Sequence, residues 1–171
     1  MLPASATTEA RLLLAARGLR AACDGFVSII LPAYLLLLGL DAVQVGLVAT
    51  ATLLGSAFLN LAVGLTGLRR HTRAVLVAAS LIMALTGLGL AVFESFWPLL
   101  VIAFVGTLNP SSGDVSVFLP LEQASLAGSV ADRDRTALFA RYSLVGSLLG
   151  ACGALLAALP ELAAAVGIAM V

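Results

Sequence analysis

The sequence predicts an all-α membrane protein: a polytopic transmembrane helix bundle of five spans plus part of a sixth. Three observations carry this expectation. The chain of 171 residues is 61% hydrophobic and 11% charged, with a mean hydropathy of +1.13. A soluble domain has about 25% charged residues and could not hide so much apolar surface. Residues 43–65 pass without a single charge. At about 1.5 Å rise per residue, such a run crosses a hydrocarbon core of about 30 Å. The cationic residues are all arginine, and Arg69, Arg70 and Arg73 follow directly on that run.

Taken in order, residues 1–10 are small and polar and are expected to be disordered. Residues 11–20 form a basic, partly helical approach to the membrane, so 1–20 reads as a cytoplasmic N-terminal segment and 21–171 as the bundle. The first span covers 21–40. It is too long for a signal peptide and has no small-x-small cleavage site. Pro32 sits near its middle, where a membrane helix tolerates it because neighbours re-satisfy the freed carbonyl. Gly39, Leu40 and Asp41 make a turn so short that the second span, 43–65, must return antiparallel. The third span covers 74–93. Glu94 and Ser95 turn the chain, with Trp97 at the interface.

The fourth span, 97–127, would measure about 45 Å as one straight helix. The sequence therefore predicts a kink or break at 110–113, where proline and glycine stand together. After the polar loop 129–136 the fifth span covers 137–159. Pro160 and Glu161 are expected to turn the chain, and a sixth apolar run starts at 162–171. Every arginine falls at one end of this layout, while the opposite turns carry only Asp41, Glu94 and Glu161. Short loops rich in arginine stay in the cytoplasm, so the N-terminus is expected inside.

Several function classes are disfavoured. The net charge is zero, which argues against a broad nucleic-acid-binding surface. No nucleophile–base pair or phosphate-cradling motif marks an enzyme. No cofactor or metal site is expected: His71 is a solitary loop histidine, and Cys23 and Cys152 read as small packing residues within apolar runs.

The polar residues inside the spans are the candidates for function, because an ionisable side chain at bilayer depth costs about 2.5 kcal/mol or more and usually faces a cavity or a partner. Asp114 and Asn109 flank the expected break in the fourth span, where transporters place substrate and coupling ions. A capping role for Asp114 is the structural alternative. Glu122 and Gln123 lie in the cytoplasmic third of that span, with Asp24 and Arg141 at similar depth. An acid is expected to pair with Arg141, as a structural layer or as a gate. Asp24 also stands one turn from Arg20 and could pair there. In the fifth span Ser143, Gly146, Ser147, Gly150 and Gly153 form a small-residue face suited to close helix packing.

The loop between the second and third spans resembles the signature loop of the major facilitator superfamily. Gly64, Arg69 and Arg73 match that pattern. Leu68 stands where its aspartate belongs, His71 replaces its second glycine, and Thr72 replaces the first of its final basic pair. The hairpin at 31–50 is similar to the first pair of spans in such transporters, and 106–153 to a bacterial branch of uncharacterised permeases. The resemblance implies twelve spans in two halves, a central cavity and alternating access. On that reading the chain is the N-terminal half of a permease, a fragment or a truncated product in the bacterial inner membrane. It would carry a small unknown solute, with proton coupling through Asp114 or Glu122. Its partners would be the lipid bilayer, the solute, and a missing C-terminal half or partner subunit, with no nucleic acid. Arg69 or Arg73 could take Glu122 as a substitute for the absent loop aspartate. The alternative is a non-transporting scaffold or a nonfunctional remnant.

Overall fold

The computed structural model describes residues 7–65, 72–106, 118–130 and 132–165, with the backbone alone at 72 and 160–165. Among these residues the regular structure is entirely helical: α1 (Thr8–Leu37), α2 (Ala42–Leu65), α3 (Thr72–Val92), α4 (Phe96–Val105), α5 (Phe118–Gly128) and α6 (Arg135–Ala165), with a single 3-10 turn at Asp132–Asp134 before α6. The chain is a membrane helix bundle, as composition and span-length apolar runs predict. Among the described residues four helices are long and apolar enough to span a bilayer, and α4 is a shorter apolar helix.

Helix boundaries differ from the sequence expectation in three places. The first helix begins at Thr8, inside the segment expected to be disordered. The Thr7 hydroxyl oxygen accepts from the Ala10 amide at 3.3 Å, and Ala10 is fully buried, so capping and burial both favour an early start. The fourth span leaves helical geometry already at Gly106, whose backbone is extended. Gly106 is pressed against Thr86 of α3, and a Cβ there would overlap that side chain. The expected break at 110–113 lies outside the described residues. Finally, α6 runs through Pro160 and Glu161 to Ala165, so the expected turn is absent. A proline removes only one helical hydrogen bond, and no glycine stands beside this one to release the backbone.

The first hairpin closes as its residues dictate. Gly39 takes a φ of +87°, a conformation that costs glycine little. The Leu40 amide donates to the Leu35 carbonyl and the Gly39 amide to that of Leu36. This pairing ends helices while burying the residue after the glycine. Asp41 then starts α2 in a reciprocal cap: its Oδ1 accepts from the Gln44 amide at 2.8 Å, and the Gln44 side chain accepts from the Asp41 amide at 3.0 Å.

Three apolar clusters hold the bundle. Leu31, Leu35, Leu40, Val48, Leu90, Leu99 and Ala103 join α1 to α4 near the hairpin. Ala10, Leu14, Leu126, Leu138 and Tyr142 join α1, α5 and α6 at the opposite, arginine-bearing end. Val63, Ala79, Phe118 and Leu121 link α2, α3 and α5. The outer surface is apolar as well: Leu37, Leu65, Leu81, Val92 and Trp97 are all more than 60% exposed. Only a lipid environment makes such a surface favourable.

Without water to drive helices together, close backbone approach matters most. A Cβ on Gly25 would overlap the Gly150 carbonyl, one on Gly153 the Ala22 carbonyl, and one on Gly55 of α2 the Phe104 carbonyl of α4. The predicted small-residue face of the fifth span thus packs through Gly146, Gly150 and Gly153, whereas Ser143 and Ser147 are exposed. Cys23 and Cys152 are exposed free thiols rather than packing residues. Gly25→Ala is expected to destabilise the detergent-solubilised protein by about 2 kcal/mol through overpacking. Gly87→Ala, with open space around it, should be neutral or slightly stabilising. Unfolding followed by circular dichroism in a mixed-detergent titration would compare them.

Candidate functional site: a buried arginine–glutamate–tyrosine cluster

The bundle places one charged cluster in its interior, built from α1, α5 and α6. On α1, Arg17 and Arg20 stand one turn apart on the buried face, 7% and 9% exposed. On α5, Glu122 is 2% exposed. The Arg20 guanidinium meets it end-on: Nη1 donates to Oε1 at 2.7 Å and Nη2 to Oε2 at 2.9 Å. Two parallel charge-assisted bonds of this kind are the strong and directional form of the pair.

Two aromatic residues frame it. Phe118, one turn before Glu122 on α5, lies under the Arg20 guanidinium at 4.0 Å. Tyr142 of α6 donates its hydroxyl to Glu122 Oε2 at 2.5 Å, and Arg17 sits over the Tyr142 ring at 5.2 Å. Cations placed on aromatic faces in a dry setting gain about 2 kcal/mol or more. Gly146, one turn beyond Tyr142, leaves the room that Arg17 occupies; a Cβ there would lie 2.7 Å from its Nε and Nη2. The cluster borders an open groove of about 310 Å³ between α1, α3 and α5, whose walls include Leu13, Ser80, Phe118, Arg20 and Glu122.

Chemically, this arrangement fastens three helices to one carboxylate. Glu122 accepts three hydrogen bonds from groups far apart in sequence. Separating α5 from α1 would leave an arginine and a glutamate without partners at membrane depth, at several kcal/mol. Such a contact is stable while intact and costly when half broken, as a two-position latch requires.

The structure redistributes the residues singled out from sequence. Glu122 is central, but its partner is Arg20 and not Arg141. The register between α1 and α6 explains this. Gly146 faces Arg17 and Gly153 faces Ala22, so Arg141 lies below the level of Arg17 and Asp24 above it. At about 1.5 Å per residue the two are separated by about 18 Å along the axis and do not share a depth. Arg20 likewise turns to Glu122 rather than down its own helix, although half-buried Asp24 adds to the field around it. Gln123 is half-buried and outside the cluster. Arg73 does not approach Glu122. It is almost fully exposed and lies 4.0 Å from Glu9, a loose surface contact of little energetic weight. Asp114, Asn109 and Arg69 lie outside the described residues. Sequence reasoning did not bring Arg17, Tyr142 and Phe118 into the site. The available signal was two arginines one turn apart on a helix face otherwise too apolar to carry them.

With this geometry in hand, comparison with known proteins is decisive at the family level. The sequence model of the Major Facilitator Superfamily matches residues 13–168. The chain belongs to the major facilitator superfamily. It is an integral membrane protein of a transporter family. It is also 30% identical over 151 residues to the uncharacterized membrane protein YJR124C of Saccharomyces cerevisiae, a match covering 88% of this chain and 34% of that protein. The chain thus spans about a third of that relative's length. No solved structure matches it.

The cluster's energetics are directly testable. Arg20→Met and Glu122→Leu should each destabilise the protein by about 3 kcal/mol, because each strands a buried charge. The double variant should cost clearly less than their sum. Additive costs in a double-mutant unfolding cycle would show that the pair contributes no coupling energy. Tyr142→Phe removes one hydrogen bond to an ionised acceptor and should cost about 2 kcal/mol in the same assay.

Proposed function

We propose that this bundle is the N-terminal helix set of a secondary transporter that moves a small solute by alternating access, with the Arg20–Glu122–Tyr142 cluster as a latch that opens when the transporter changes face. The observation that carries the reading is the bidentate, buried Arg20–Glu122 pair, which joins helices 102 residues apart. A permanent structural tie would serve better as apolar packing, since buried ion pairs seldom beat a well-packed hydrophobic replacement. A pair that must break and re-form has a use for charge and direction. Membership in a transporter family supports the general activity.

The transporting unit is read as containing further helices, on the same polypeptide or from a partner subunit. Support comes from the matched relative, which is more than twice as long. The N-terminus is read as cytoplasmic, because arginines are confined to one end of the sequence layout, and the bacterial inner membrane as the setting, from the resemblance of 106–153. For proton coupling, Glu122 becomes available only when Arg20 releases it, and Asp114 is the second candidate carboxylate.

The test is uptake by the full-length polypeptide in proteoliposomes, across a panel of small solutes, with and without a proton gradient. Glu122→Gln and Arg20→Met should lower uptake at least about tenfold, and the exchange Arg20→Glu with Glu122→Arg should recover part of it. Wild-type rates in both single variants would remove the latch from the mechanism. Uptake indifferent to the gradient would remove proton coupling.

A further inference from the structure

A third arginine of the bundle stands outside the latch. Arg141 lies in the second turn of α6, half-buried. No hydrogen bond or ion pair joins it to a described residue, and its Nη1 is buried without an acceptor. The neighbouring acids are engaged or distant. Glu122 is held by Arg20 and Tyr142. Asp24 lies about 18 Å away along the α1–α6 axis. Asp134 is two helical turns earlier, 3.9 Å from Arg133. The buried and half-buried charges on and beside α1, α5 and α6 are Arg17, Arg20 and Arg141 with Asp24, Glu122 and Asp134. A guanidinium nitrogen buried without an acceptor is destabilising. That cost is removed if an oxyanion docks on the guanidinium fork, whose planar donors match a carboxylate or phosphate.

We propose that Arg141 is an anion-binding residue and that the solute it receives carries a carboxylate or phosphate group. The inference rests on the transport reading for the word solute, but the anion site itself does not. Arg141 is separate from the latch: its level on α6 is below that of Arg17, and it touches neither Glu122 nor Tyr142 in any hydrogen bond or ion pair among the described residues. The same headgroup chemistry exists in membrane lipid, so the experiment must separate the two sources.

The full-length protein is placed in nanodiscs of zwitterionic lipid, and its thermal unfolding is followed with inorganic phosphate or succinate against chloride at equal ionic strength. The expected result is a rise in melting temperature of about 3 °C at tenfold saturation by either oxyanion. The rise should be lost in Arg141→Gln and partly kept in Arg141→Lys. Two controls keep the result interpretable: ligand-free melting of each variant, and Glu122→Gln, whose oxyanion shift should persist because the latch is a separate element. A rise that persists in Arg141→Gln, or no oxyanion-specific rise in the wild type, overturns the proposal. If soluble oxyanions do nothing and only nanodiscs containing phosphatidylglycerol raise the melting temperature in an Arg141-dependent way, Arg141 holds a lipid headgroup and the solute assignment fails. Oxyanion binding without uptake of any solute would instead sink the transport reading and leave the anion site standing.

Discussion

The backbones of α1 and α6 touch, and much of the interior follows from that contact. A methyl group on Gly25 would overlap the Gly150 carbonyl, and one on Gly153 the Ala22 carbonyl. In lipid, where apolar side chains gain little by leaving one neighbour for another, such close approach is a main source of helix affinity. It also sets register. Two helices that interlock at Gly25 and Gly153 cannot slide by a residue without collision, so the height of every other side chain along the pair is determined. Tyr142 is thereby brought beside Arg17, and Arg17 lies over Gly146, where a side chain on α6 would have displaced it.

On this pair the bundle builds a costly feature, a carboxylate and two guanidiniums away from water. The cost is contained because each charge has a dedicated partner: a fork for the carboxylate, ring faces for both arginines, and a phenol as third donor to Glu122. The contrast with Arg73 and Glu9 is instructive. They carry the same pair of charges, yet they are exposed and 4.0 Å apart, and nothing in the fold depends on them. Burial, not charge count, decides which ion pairs matter.

The fourth span reaches this cluster in two pieces. α4 packs its backbone on α2 at Gly55 and ends where Gly106 meets Thr86, while α5 carries Glu122 and Phe118 to α1. The break at Gly106 separates the α2–α4 contact from the helix that carries Glu122.

By itself the sequence determined the environment and the kin of this protein. Composition and span-length apolar runs required a membrane, the hairpin at Gly39–Asp41 was legible from its turn and cap residues, and the pattern around Gly64, Arg69 and Arg73 pointed to the family that the match over 13–168 shows. These are local or summed properties, and periodicity and composition report them directly. The start of α1 at Thr8 and the passage of α6 through Pro160 were not legible, because propensity is weak beside capping and helix continuity. The partner of Glu122 was least legible of all. Depth counted separately along each span put it with Arg141, but the true pairing depends on how α1 and α6 are registered against each other. That offset is decided by three-dimensional interlocking of glycines and carbonyls, to which no single helix refers, and only the tertiary structure settled that Arg20 and Tyr142 close on Glu122 while Arg141 stands apart.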